Sequence, residues 1–74
     1  MPLARVTGVQ AQAQTQEQVY FGPTGQYLGG KFLAYWNLHG GLAIFGYPLT
    51  PAFSENGYLT QYFERARFEL HPAN

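Results

Sequence analysis

The chain has 74 residues, enough for one small domain. Four basic and four acidic side chains cancel, and charged residues make up only 11% of the sequence, so no net field draws the chain to nucleic acid or to an anionic membrane. There is no cysteine, which excludes disulfides and thiolate metal sites, and no run approaches the roughly 20 apolar residues of a membrane-spanning helix.

Two zones follow one another along the chain. The first, residues 1–19, is a leader or strand rich in Gln. Every even position from Gln10 to Gln18 is Gln, with Val9, Ala11, Ala13, Thr15 and Glu17 between them. That period of two is a strand pattern. A solvated leader is the alternative, because such a segment has little apolar surface to offset its ordering entropy. Ala11-Gln12-Ala13 also has the small-x-small form found before a signal-peptide cut, which would make the leader a processing remnant. Extended from Val9 to Phe21, the leader spans about 43 Å at roughly 3.3 Å per residue. A body of fifty-odd residues is about 26 Å across. The leader is therefore expected either to bend or trail as a linker, or to pair with a neighbouring subunit by strand addition.

The second zone, residues 20–74, carries the globular signals. Gly22-Pro23-Thr24-Gly25 reads as a turn. Gly30 to His39 reads as a short helix, with Phe32, Leu33 and Trp36 on its inner face. Gly40-Gly41 stops that helix, and Leu42 to Phe45 follows as a short buried strand or extended run. Gly46-Tyr47-Pro48 and Pro51 break regular structure. Asn56-Gly57 is a strong hairpin signal joining the run ending at Phe53 to a strand starting at Tyr58. Read as one strand, Tyr62 to Leu70 puts Tyr62, Glu64, Ala66, Phe68 and Leu70 on one face. Phe63, Arg65, Arg67 and Glu69 then fall on the other. The fold class is α+β: a small antiparallel sheet with one short helix, plus the extended N-terminal strand or leader. Phe32, Trp36, Phe45, Phe63 and Phe68 are the expected core.

From about Tyr20 to Pro72 the chain resembles a bacterial repeat module related to LGFP repeats. The matching elements are Thr24-Gly25, Phe32-Leu33-x-Tyr35-Trp36, Gly40-Gly41-Leu42, Phe45-Gly46-Tyr47-Pro48, and Gln61-Tyr62-Phe63-Glu64-Arg65 through Glu69-x-His71-Pro72. The closing block is the specific part. The resemblance implies a non-enzymatic module of secreted or envelope-attached proteins, extracellular or at the cell surface, with an anchoring or binding role toward cell-wall polymer or protein. The sequence departs from the pattern in carrying one module, no attached hydrolase and the Gln-alternating leader.

Residues suited to catalysis are sparse. There is no Asp, and Glu17, Glu55, Glu64 and Glu69 are scattered, which disfavours a paired-carboxylate site. His39 and His71 lack companions for a metal site, and the glycine turns lack a phosphate-loop pattern. No catalytic residue, metal or cofactor is expected. Binding is better supported: aromatics reach 18% of the chain, and tyrosine suits interfaces as well as cores. The candidate contact residues are Tyr20, Tyr27, Tyr47, Tyr58, Arg65 and Arg67, with Arg65 and Arg67 equally able to serve structure by pairing with carboxylates or backbone carbonyls. Two readings stand: an interaction module using an aromatic surface, and a self-assembling surface-filament subunit joined through Val9–Phe21.

Overall fold

A computed structural model of the chain describes residues 1–7 and 17–72. It is an α+β fold of two small sheets and two short helices. Strands β1 (Leu3–Thr7), β4 (Phe53–Glu55), β5 (Tyr58–Tyr62) and β6 (Arg67–His71) form the main sheet, ordered β1-β6-β5-β4. β1 runs parallel to β6, and the other two pairings are antiparallel. Strands β2 (Gln18–Phe21) and β3 (Gln26–Gly29) form a separate hairpin, which leads directly into helix α1 (Gly30–Leu38) and then helix α2 (Gly41–Phe45).

The turn chemistry explains the hairpins. Asn56 (φ 54°) and Gly57 (φ 84°) supply the two left-handed residues of the tight β4–β5 connection. The β5–β6 connection departs from the sequence expectation of a continuous strand. The N–H of Phe63 donates to Ala66 O at 2.7 Å, so Glu64 and Arg65 are the tip of a turn. A two-residue tip makes Phe63 face Ala66 and Gln61 face Phe68. Odd positions before the turn and even positions after it therefore share the inner face. That is how both Phe63 and Phe68 come to be fully buried.

The inner face of the main sheet is covered by α1 and β3. Val6, Leu28, Phe32, Leu33, Phe45, Phe63, Ala66 and Phe68 make the buried core. Phe68 is its hub: its ring lies 4.2 Å from Phe63, 4.9 Å from Phe45, 5.2 Å from Tyr35 and 5.6 Å from Phe32. Trp36 sits half-buried at the core edge rather than inside it, and its indole N–H donates to Gly46 O at 3.1 Å. The opposite face of the sheet is a polar ladder, with Arg5, Thr7, Arg67, Glu69 and His71 beside Tyr58, Thr60 and Tyr62.

Three other expectations change. Leu42 to Phe45 is helical, not extended, because the end of this short helix is held from outside, as described below; the fold thus has a second helix. The sheet includes a parallel strand, β1, whose Val6 is fully buried in the core. Finally, Gln18–Phe21 is paired within its own chain, against Gln26–Gly29, because the four-residue turn at 22–25 brings Gln26 back under Phe21, with Gly25 N–H donating to Phe21 O at 2.8 Å. The rest of the expected assembly strand, Val9 to Gln16, lies outside the described residues.

Because Phe68 touches four other rings, Phe68→Ala is expected to lose about 3–5 kcal/mol. A small domain has roughly that much stability in total. Urea unfolding followed by tryptophan fluorescence should show no folded baseline at room temperature, and a variant with a midpoint near the parent's would contradict this packing.

Candidate functional site

The β2–β3 hairpin carries the most exposed pair of aromatic residues in the described structure. Tyr20 and Tyr27 are register partners across it, with ring centroids 5.0 Å apart and the rings tilted by 57°. Alternation turns their neighbours Val19 and Leu28 to the other face, where Leu28 enters the core. Tyr20 and Tyr27 are 56% and 57% exposed. Gln18 lies on the same face and folds over Gly29; a Cβ at Gly29 would sit 2.7 Å from Gln18 Cγ. The tyrosine pair and this amide side chain make one continuous strip.

Beside the strip, the hairpin and the main sheet enclose a cleft of about 420 Å³. Its walls are largely apolar, from Phe32, Pro51, Leu59 and Leu70, and Tyr27 stands at its border. Gln18 and Gln26 contribute amides, and Lys31 at the start of α1 is its one charged lining residue among those described. Gln61, buried beneath, keeps the cleft in shape. Its side-chain amide donates to Tyr27 O and to Thr50 O, both at 2.9 Å. This buried side chain ties the hairpin to the segment before β4 and is satisfied by backbone acceptors, as a buried amide must be.

The remaining candidate residues lie elsewhere and are engaged internally. Arg65 reaches over the end of α2: Nη2 donates to Leu42 O at 2.7 Å and Ala43 O at 3.3 Å, and Nε donates to Ile44 O at 3.2 Å. Its backbone N–H adds Phe45 O at 3.0 Å. Ala43 O, Ile44 O and Phe45 O are carbonyls that so short a helix leaves without intrahelical donors at its C-terminal end, while Leu42 O also accepts the capping Gly46 N–H at 3.0 Å. Glu64 works alongside, its Oε1 accepting the Tyr47 N–H at 3.0 Å. Tyr47 is half-buried, packed edge-on to Phe21 at 5.8 Å. Arg67 pairs with Glu69 at 3.4 Å. Its guanidinium is held above its ordinary pKa, first by a hydrogen bond to Tyr62 and then by the charge of Glu69. Tyr58 lies over the His71 ring at 4.1 Å, and His71 Nε2 is 3.0 Å from Glu69 Oε1.

Of the expected contact residues, the structure therefore brings together only Tyr20 and Tyr27. Gln18, Gln26, Lys31 and Leu59 join them, and none of these was singled out from the sequence. One signal was available: Tyr20 and Tyr27 flank the Gly22-Pro23-Thr24-Gly25 turn symmetrically, which pairs them in a hairpin closed at Phe21 and Gln26. Lys31 and Leu59 carry no such signal, since the cleft is made by docking two sheets. No protein-family model, curated protein or solved structure matches this chain.

The carbonyl cap tests directly. Arg65→Ala should lose about 1–2 kcal/mol, the scale of charge-assisted hydrogen bonds at a solvent-accessible position. Arg65→Lys should recover only part of that, because a single ammonium cannot span three carbonyls as a fork does. Chemical denaturation of the three proteins decides it, and equal stability of Lys and Arg at this position would remove the fork from the explanation.

Proposed function

We propose that this protein is a non-enzymatic interaction module of the extracellular space or cell surface, binding wall polymer or protein through the Tyr20–Tyr27 strip. The observation that carries this reading is the strip itself: two cross-strand tyrosines, each more than half exposed, beside a cleft with apolar walls and amide side chains. Tyrosine presents a flat apolar face with a polar rim at small conformational cost, which suits stacking against sugar rings or another protein. The LGFP-like pattern of the closing block supports the same reading by resemblance, and so does the envelope location it implies. The carboxylates of Glu55, Glu64 and Glu69 are all engaged by groups of the same chain, which supports a structural use for them.

Retention on purified bacterial cell walls is the test. The double variant Tyr20→Ala/Tyr27→Ala should lose at least about tenfold in retained protein, the effect of roughly 1.4 kcal/mol. Its stability should change by less than about 1 kcal/mol, the scale of one cross-strand pair. Undiminished retention of the double variant would remove the strip from the binding surface.

A second reading is favoured by one observation. β1 is an edge strand that buries Val6 and is held by a parallel backbone ladder to β6. A neighbouring copy offers the same ladder, so exchange of this strand joins subunits head to tail. On this reading the protein is a self-assembling surface-filament subunit whose donor strand is Leu3–Thr7. Light scattering on the pure chain should then show growth with concentration, and a uniform monomer at millimolar concentration rejects the exchange.

A further inference from the structure

Resting on the binding-module reading, we propose that the cleft beside the tyrosine strip takes a short, negatively charged saccharide, with Lys31 reading the acid group and Tyr27 stacking on a ring. The volume, about 420 Å³, lies in the range of small-ligand sites and far below what a folded partner needs. The walls have the matching chemistry. Leu59 and Pro51 offer apolar surface to sugar C–H groups, and Tyr27 offers an exposed ring at the border. Gln18 and Gln26 each present both a donor and an acceptor, which is what adjacent hydroxyls require.

The charge of the site follows from where the other cations go. Arg65 is spent on the carbonyls of α2, Arg67 is paired with Glu69, and Arg5 stands opposite Glu69 in the β1–β6 register. Lys31 is half-buried on the cleft wall. The side-chain ion-pair contacts among the described residues, Arg67–Glu69 and His71–Glu69, do not include it. No carboxylate lines the cleft among the described residues; Glu17, the nearest in sequence, contributes its backbone oxygen to the Gly30 N–H. A compact ammonium in a partly desolvated, otherwise neutral cleft favours an anionic group. A peptide is disfavoured as occupant, because strand addition at β3 would need free backbone groups there, and Tyr27 O is already taken by Gln61.

The experiment titrates the full chain with trigalacturonate and with its methyl ester, the same skeleton without charge, by calorimetry and by amide chemical shifts. The parent should bind the acid about tenfold more tightly than the ester, and raising the salt from about 20 to about 300 mM should shrink that preference. Lys31→Gln should bring the acid down to the ester's affinity while leaving the ester unchanged. Lys31→Arg, which keeps the charge, should keep the preference, so a folding defect in one variant does not decide the matter. Tyr27→Ala should weaken both ligands. Equal binding of acid and ester by the parent, with both lost in Tyr27→Ala, overturns the role of Lys31 while leaving the aromatic binding reading intact. Failure of either saccharide to bind, with cell-wall retention still dependent on Tyr20 and Tyr27, overturns the cleft as a saccharide site and again spares that reading. Tighter binding of triglutamate than of trigalacturonate overturns the ligand class. Absence of both saccharide binding and wall retention removes the parent reading together with this one.

Discussion

A single turn holds the parts of this fold in register. Arg65, at the tip of the β5–β6 connection, meets the carbonyls of Leu42, Ala43, Ile44 and Phe45 with its side chain and its backbone N–H. Without outside donors the last three of these oxygens would have to find water, since only Leu42 O has a donor of its own turn, the Gly46 N–H. A helix of five residues has too few internal bonds to hold itself together. The neighbouring Glu64 packs so closely on Gly46 that a Cβ there would lie 2.5 Å from Glu64 Oε1, at a φ of 79° that glycine adopts freely. Gly46 in turn receives the Trp36 indole N–H, so the clamp reaches from the sheet through α2 to α1. Its tip of two residues also sets the parity that turns Phe63 and Phe68 inward together.

The aromatic cluster around Phe68 supplies the apolar burial that a domain of this size needs, and the two sheets are locked over it by one polar side chain. Gln61 stands on the inner face, where an apolar residue would be ordinary. Its amide bridges the hairpin and the loop before β4. The cleft exists because this bridge fixes how far the hairpin stands from the main sheet. Its shape is thus tied to a buried hydrogen-bonded group, which costs more to disrupt than an exposed contact. The site and the core share a foundation.

Charge is distributed with the same economy. The arginines at 65 and 67 and the carboxylates at 55, 64 and 69 serve contacts within the chain. The exposed aromatic pair is therefore surrounded by amides and one ammonium rather than by a field of mixed charge. On the proposed binding reading, such a surface would select by shape and stacking first and by charge at one point, a division common to small-ligand sites.

Much of the local structure was legible in the sequence. The helix over 30–38 follows from apolar spacing and the glycines after it, and the β4–β5 hairpin follows from Asn56-Gly57. The inward set Ala66, Phe68 and Leu70 follows from alternation along β6. Local patterns misled where a distant group decided the outcome. Leu42–Phe45 reads as well extended as helical until Arg65 caps its carbonyls, and that contact spans more than twenty residues of sequence. Tyr62 to Leu70 reads like one strand because Ala66, Phe68 and Leu70 continue a period of two through the polar residues Glu64 and Arg65, and only the apolar Phe63, on the opposite parity, marks the turn. The same limit applies to the site: pairing of Tyr20 with Tyr27 was available from the turn between them, whereas the approach of Lys31 and Leu59 was not. The sequence by itself determined the composition, the turns, the helix and the alternating faces, since these rest on residues within a few positions of one another. Only the tertiary structure decided the second helix, the parallel seat of Leu3–Thr7 and the cleft, because each depends on backbone and side-chain groups that meet only when separate elements dock.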